Sequence, residues 1–273
     1  MLLEDRSLTT EKTLKNLNLK WLSHIQVHDD IISIDASDLY YRDLNTLLRT
    51  LSGNGISTIE LTNVYGQRYI GTNLQKPLQI SVRGVPGNDL GAFMNGSKVT
   101  VYGNVQDGCG NTMNQGQIVV HGRAGDITGH SMRGGKIFIR DDVGFRVGIH
   151  MKEYLDKVPA IVVGGTAQDF LGEYMAGGIL VVLGLHMGAK PIHQAKFVGT
   201  GMHGGVMYLR GDVQSYGKEV DVVEFTEEDQ RILQGLLDEF CSHFGYDVSS
   251  ILNSSFTKII PVSYRPYGRL YAY

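Results

Sequence analysis

Three stretches between residues 91 and 141 repeat one pattern: GAFMNGSKVTVYG (91–103), GNTMNQGQIVVHG (110–122) and GHSMRGGKIFIRD (129–141). Two more follow it, GEYMAGGILVVLG (172–184) and GTGMHGGVMYLRG (199–211). A sixth, GIHMKEY running into LDKVPAIVVG (148–164), keeps the head and gains four residues before its apolar run. Met94, Met113, Met132, Met151, Met175 and Met202 stand 19, 19, 19, 24 and 27 residues apart, and each has glycine three positions earlier: Gly91, Gly110, Gly129, Gly148, Gly172 and Gly199. The run PLQISVRG, ending at Gly84, lies one period before Gly103 and reads as an earlier unit with Gln75 in the methionine position. Seven units are visible in all.

Each unit closes on a short run of alternating, β-branched character, such as 99–103 or 137–141, bounded by glycine pairs such as Gly134-Gly135 and Gly177-Gly178. That is a strand between turns. A 19-residue period has no room for a helix plus a strand, or for a propeller blade, and suits one coil of a parallel β-solenoid. Coils stacked at about 4.8 Å give a prism roughly 30 Å tall. Glycine serves the corners because it reaches positive φ without a Cβ clash. The methionine row is read as core, each side chain contributing roughly 1.5–3 kcal/mol by burial.

Composition agrees. The chain has 273 residues, 35 of them glycine against 6 prolines, a glycine share nearly twice the usual ~7 %. No every-third-residue period exists, which excludes collagen, and 42 % hydrophobic residues suffice for a sizeable core. With 25 basic and 28 acidic residues and no long run of either sign, there is no nucleic-acid footprint. No signal-peptide segment and no stretch of ~18 apolar residues occurs, so the expectation is a cytoplasmic chain that does not span a membrane. Cys109 and Cys241 are too few for a four-thiolate metal site.

Residues 1–65 read as an N-terminal cap segment: Leu44, Leu47, Leu48 and Leu51 share one face of a helix over Tyr41–Leu51, and a strand from Ser57 follows. Residues 66–215 are the glycine-repeat β-helix. Residues 216–273 open with a capping-box pattern at Thr226–Asp229 and a helix carrying Ile232, Leu233, Leu236, Leu237 and Phe240 on one face. The last stretch, IIPVSYRPYGRLYAY, reads as an extended tail on the solenoid side or on a partner. Terminal coils expose strand edges, so caps are expected at both ends.

Motifs for chemistry are sparse. Gly199-Thr-Gly201-Met-His-Gly204 matches G-x-G-x-x-G but is followed by a strand-like run, not the helix a pyrophosphate needs. His130, His150 and His203 fall at different offsets from their methionines, which predicts no convergent ligand set. Asn88, Asp107, Asp126 and Asp169 share the position six before methionine, with Phe145 interrupting the row. Stacked carboxylates could hold a cation such as calcium, but the [DN]-x-x-G pattern also suits Asx turns, the reading preferred here.

The units G-x-x-M-x-G-G, with GNDLGAFM, QDGCGNTM, GHSMRGGKIFIR, VGIHMKEY and GGTAQDFLGEYMAGGILVVLG, resemble the glycine-repeat (GXGXG) β-helix domain at the C-terminus of the glutamate synthase large subunit. The resemblance covers about residues 35–215, and the termini look like those of stand-alone members. Related β-helices form the C subunit of formylmethanofuran dehydrogenase and a subunit of N-methylglutamate synthase. In glutamate synthase an amidotransferase domain hydrolyses glutamine and an FMN-containing domain aminates 2-oxoglutarate, while the β-helix holds them together. The resemblance carries over no catalytic, cofactor-binding or metal-binding residue: Met1-Leu2 offers no N-terminal cysteine nucleophile, and no cysteine cluster could hold an iron-sulfur centre.

The expectation is therefore a right-handed parallel β-helix of about seven coils with small α/β caps, acting as a scaffold subunit. It implies amidotransferase and FMN-binding synthase partners that carry the FMN and iron-sulfur groups, with a homo-oligomer also open. Two rivals remain: the same scaffold role in a formylmethanofuran dehydrogenase or N-methylglutamate synthase complex, and a free-standing hydrolase or transferase using His130, Ser131 or Asp126 in a groove.

Overall fold

The computed structural model describes residues 20–28, 31–74 and 76–263. In chain order the strands begin with β1 (Ile25–His28) and β2 (Ile31–Asp35), then helix α1 (Tyr41–Gly53) and β3 (Thr58–Tyr65). The repeat region supplies β4 (Gln79–Val85), β5 (Asn95–Tyr102), β6 (Gln115–Val120), β7 (Lys136–Ile139), β8 (Ala160–Val163), β9 (Ala176–Val182), β10 (Ile192–His193), β11 (Gly204–Arg210) and β12 (Asp212–Val213). The C-terminal part adds β13 (Val220–Val223), helices α2 (Glu227–Phe244) and α3 (Val248–Leu252), and β14 (Phe256–Pro261).

One 12-stranded sheet runs in the order β1-β2-β3-β4-β5-β6-β7-β8-β9-β11-β14-β13. From β2 to β11 every neighbouring pair is parallel, nine strands separated by eight turns, so the fold is the expected β-solenoid with one turn more than the glycine units reveal. Its extra turn is the β2–α1–β3 passage, which has no glycine signature. A single register row, Ile80, Val99, Ile118, Ile137, Ile161, Leu180 and Met207, stacks inside the column. All six repeat methionines are at most 2 % exposed. The position assigned to Gln75 lies outside the described residues, and Leu74 packs against the core there.

Two tight turns in tandem form the corner ahead of each of the strands β5–β9 and β11. At residues 127–132, Ile127, Gly129 and Ser131 have φ of 50°, 72° and 53°, with His130 N–H donating to Ile127 O (3.0 Å) and Met132 N–H to Gly129 O (3.1 Å). The three left-handed residues send their own N–H groups alternately to neighbouring coils, at Phe145 O, Cys109 O and Ile149 O. Those ladder bonds over-determine the backbone and hold non-glycine residues where φ is unfavourable by roughly 1–2 kcal/mol each. Gly129 suits the middle of the corner on two counts: its φ, and a Cβ there would overlap Ile161 Cδ1 of the next coil unless that side chain moved.

Both ends are closed, by different means. Helix α1 places Leu44, Leu47, Leu48 and Leu51 in the solenoid interior and is tied to the next coil by Ser52 Oγ donating to Lys76 O (2.7 Å) and Asn45 Nδ2 to Arg68 O (2.8 Å). At the C-terminal end β14 pairs antiparallel with β11, and β13 pairs antiparallel with β14 beyond it. The stretch read as a tail therefore begins as strand β14; residues 264–273 lie outside the described residues.

Helix α2 does not sit over the end. Its Leu233, Leu236, Leu237 and Phe240 pack on the outward side chains Val119, Phe138, Val162, Val181 and Tyr208, along the flank of five coils. The capping box forms as expected, Thr226 with Asp229. Asp229 Oδ1 also accepts from Tyr208 OH (2.6 Å), and its Oδ2 pairs with Lys258 Nζ (2.7 Å), fastening the helix start to the sheet. Lys136 and Glu239 pair further along the helix.

Candidate functional site

The turn edge places side chains from successive coils side by side. Asn111 and His130 occupy the same repeat position one period apart, so they meet: Asn111 Oδ1 lies 3.2 Å from His130 Nδ1. Asn111 Nδ2 donates to Asp89 Oδ1 (3.0 Å), which fixes the amide orientation. An amide oxygen only accepts, so Nδ1 carries the imidazole proton and Nε2 keeps its lone pair. Ser131 Oγ is 3.4 Å from that Nε2. The result is a chain Asp89–Asn111–His130–Ser131 on the surface of the column, with Ser131 on strained backbone. Burial holds the His130 pKa below the ordinary 6.5, aided by the neighbouring His150 and opposed by Asp89. The His150 ring lies edge-on to His130 (centroids 6.0 Å) and stacks on Tyr174 (5.5 Å).

His130 and His150 thus approach each other despite their different repeat offsets, because the turn carries adjacent positions to one edge. They remain short of a ligand set: no group of three metal-ligating side chains occurs among the described residues. His203 is elsewhere, its Nδ1 against Gly201 O.

The acidic row departs from the Asx-turn reading. Asp107 Oδ1 accepts from Asp126 N–H (2.9 Å), Asp126 Oδ1 from Phe145 N–H (2.9 Å) and Asp169 Oδ1 from Lys196 N–H (2.8 Å), each reaching the following coil and not its own turn. Asn104 and Asp142, absent from the row, do the same toward Arg123 and Thr166 N–H. The carboxylates are spread among backbone donors. Gly144 follows from this contact: a Cβ there would overlap Asp126 Oδ1, so this glycine makes room and its φ is ordinary. Comparing equal positions one period apart is the sequence signal that exposes both the Asn111–His130 contact and this ladder.

The G-x-G-x-x-G string is corner and strand start, with β11 beginning at Gly204. Cys109 and Cys241 are buried free thiols, their pKa pushed up by burial to about 12 and about 11. A shallow open depression of about 500 Å³ lies at the N-terminal end, rimmed by the exposed Tyr40 and Tyr65. Among the described residues no helix is long and apolar enough to cross a membrane.

A parallel glycine-cornered solenoid with a helix on its flank defines the class. The GXGXG motif family matches residues 53–262, and the chain belongs to that family, the one to which the glutamate synthase resemblance points. It is 50 % identical over 250 residues, 88 % of this chain and 96 % of the relative, to the uncharacterized protein MJ1350 of Methanocaldococcus jannaschii. The fold is also similar to a chain in the formyltransferase/hydrolase complex FhcABCD of Methylorubrum extorquens, solved with methylofuran: TM-score 0.58 at 20 % identity, covering 81 % of this chain and 88 % of that one.

Proposed function

We propose that this chain is the β-helix scaffold subunit of a glutamate-synthase-like complex, in which separate amidotransferase and FMN-binding synthase subunits carry out glutamine-dependent amination of 2-oxoglutarate. FMN and the iron-sulfur group belong to those partners, and the assembly is cytoplasmic. The observation that carries the reading is the family match over residues 53–262, nearly the whole length of one continuous parallel ladder. A column closed at both ends and stiffened by a flank helix suits holding other subunits at fixed separation.

Gentle affinity purification of the tagged chain from its native host, with partners identified by mass spectrometry, tests this. Recovery of an amidotransferase and a flavin-binding subunit, with glutamate formation lost when this chain is left out, is the expected result. Recovery of the chain alone overturns it. The similarity to a chain of FhcABCD favours a second reading, a scaffold in a formyl-transferring complex, and subunits of that chemistry in the same eluate would select it.

A further inference from the structure

We propose that Ser131 is a nucleophile that accepts an acyl group from activated esters, with His130 as its general base. This goes beyond the scaffold role and stands or falls independently of it. The geometry is that of a serine, an imidazole and an orienting amide: Ser131 Oγ 3.4 Å from Nε2, and Nδ1 3.2 Å from Asn111 Oδ1, itself anchored on Asp89. Hydrogen bonds between nucleophile and base are commonly long in free proteins and shorten when substrate binds. Ser131 shares its left-handed corner position (φ 53°) with Phe93, Thr112, His150, Tyr174 and Gly201 of other coils, so the backbone presents whatever side chain stands there at the turn edge, and here that is a hydroxyl beside an imidazole. His130 is the free base at neutral pH because burial and His150 disfavour its cation. The stacked His150 and Tyr174 rings give a planar wall beside it for the aromatic leaving group of an aryl ester.

In the step, Ser131 Oγ forms a bond to the ester carbonyl carbon while its proton passes to His130 Nε2. The carbon–oxygen bond to the leaving phenolate breaks, and the proton passes from His130 to that phenolate, leaving an ester on Ser131. The N–H groups of Ser131, Met132 and Arg133 are all committed to carbonyls, at Ile149, Gly129 and Met113, so this turn has no spare backbone donor for an oxyanion. Both steps lack that stabilisation, so only an ester with a good phenolate leaving group acylates the serine, and the unactivated ester left on Ser131 is released slowly.

The full chain is incubated with p-nitrophenyl acetate and mapped by peptide mass spectrometry. One acetyl group at Ser131 is expected, with a rate that rises with pH along a titration whose midpoint lies below the ordinary imidazole value of 6.5. Ser131→Gly, which suits its left-handed backbone and keeps the fold, abolishes that label. His130→Gln slows it by on the order of 10²-fold or more. Acetyl groups scattered over lysines with no preference for Ser131 overturn the proposal, as does equal labelling of Ser131 in His130→Gln or in urea-unfolded chain.

Discussion

One register row on the outer face of the sheet crosses two regions of the molecule. It runs Ser33, Glu60, Ser81, Thr100, and then Val119, Phe138, Val162, Val181, Tyr208. The first four are polar and half-buried; the last five are buried in the apolar layer beneath α2. The inner rows are apolar throughout, because every coil shares one interior. A covered outer face thus turns an alternating strand, SVR or VTVY, into a continuous apolar one, IVV or IFI, with no change in coil geometry. Strand alternation therefore reports which coils have an outside layer, whereas the glycine period reports the column alone.

The largest expected effect comes from removing the layer. Phe240 is fully buried against the sheet, and Phe240→Ala should cost about 3–5 kcal/mol. Hydrogen exchange should then quicken in α2 and in β6–β9 while β3–β5 keep their protection; equal loss in both regions would show that the coils do not divide this way. A second break acts at the helix start. Burial alone would raise the Asp229 pKa, but Lys258, Tyr208 and Thr226 hold it well below the usual carboxylate range. A carboxylate with a lowered folded pKa stabilises fully above its unfolded pKa and loses that contribution as pH falls below it. The fastening should therefore persist at neutral pH and weaken as pH drops below about 4. Asp229→Asn should lose about 1.5–3 kcal/mol at neutral pH and show a flatter melting temperature through the acid range. A parallel acid profile in parent and variant would remove Asp229 from the account.

The smallest effects come from exchanging residues across the boundary within one row. Val119→Thr puts a hydroxyl under the helix and should cost about 1–3 kcal/mol, whereas Thr100→Val, on the open side, should stay within about 0.5 kcal/mol. Chemical denaturation of the two variants compares them directly, and similar costs would mean that the outer face of β5 is covered as well.

Much of this was legible beforehand. The methionine spacing located six corners, the leucines of α1 announced a buried face, and Thr226–Asp229 marked the start of α2. The eighth turn was not, since β2–α1–β3 replaces the glycine corner with a helix. The flank position of α2 was open to reading in the IVV and IFI runs, yet an apolar helix face is equally compatible with an end cap until its partner surface is known. Of the Asp89–Asn111–His130–Ser131 chain, the pair His130-Ser131 is adjacent and Asn111 stands one period before His130, but the hydrogen bonds that orient them depend on side-chain conformations that spacing does not fix.

By itself the sequence determined the period, the inward methionine row and the glycine corners, because each depends on residues within a single coil and repeats often enough to stand out from chance. Tertiary structure alone decided that the aspartates bond the next coil's backbone and that an amide, an imidazole and a hydroxyl from two coils converge. It also decided that the last helix lies along the column. Those contacts join positions separated by 19 residues or far more, and only the stacking of the coils brings them within hydrogen-bond reach.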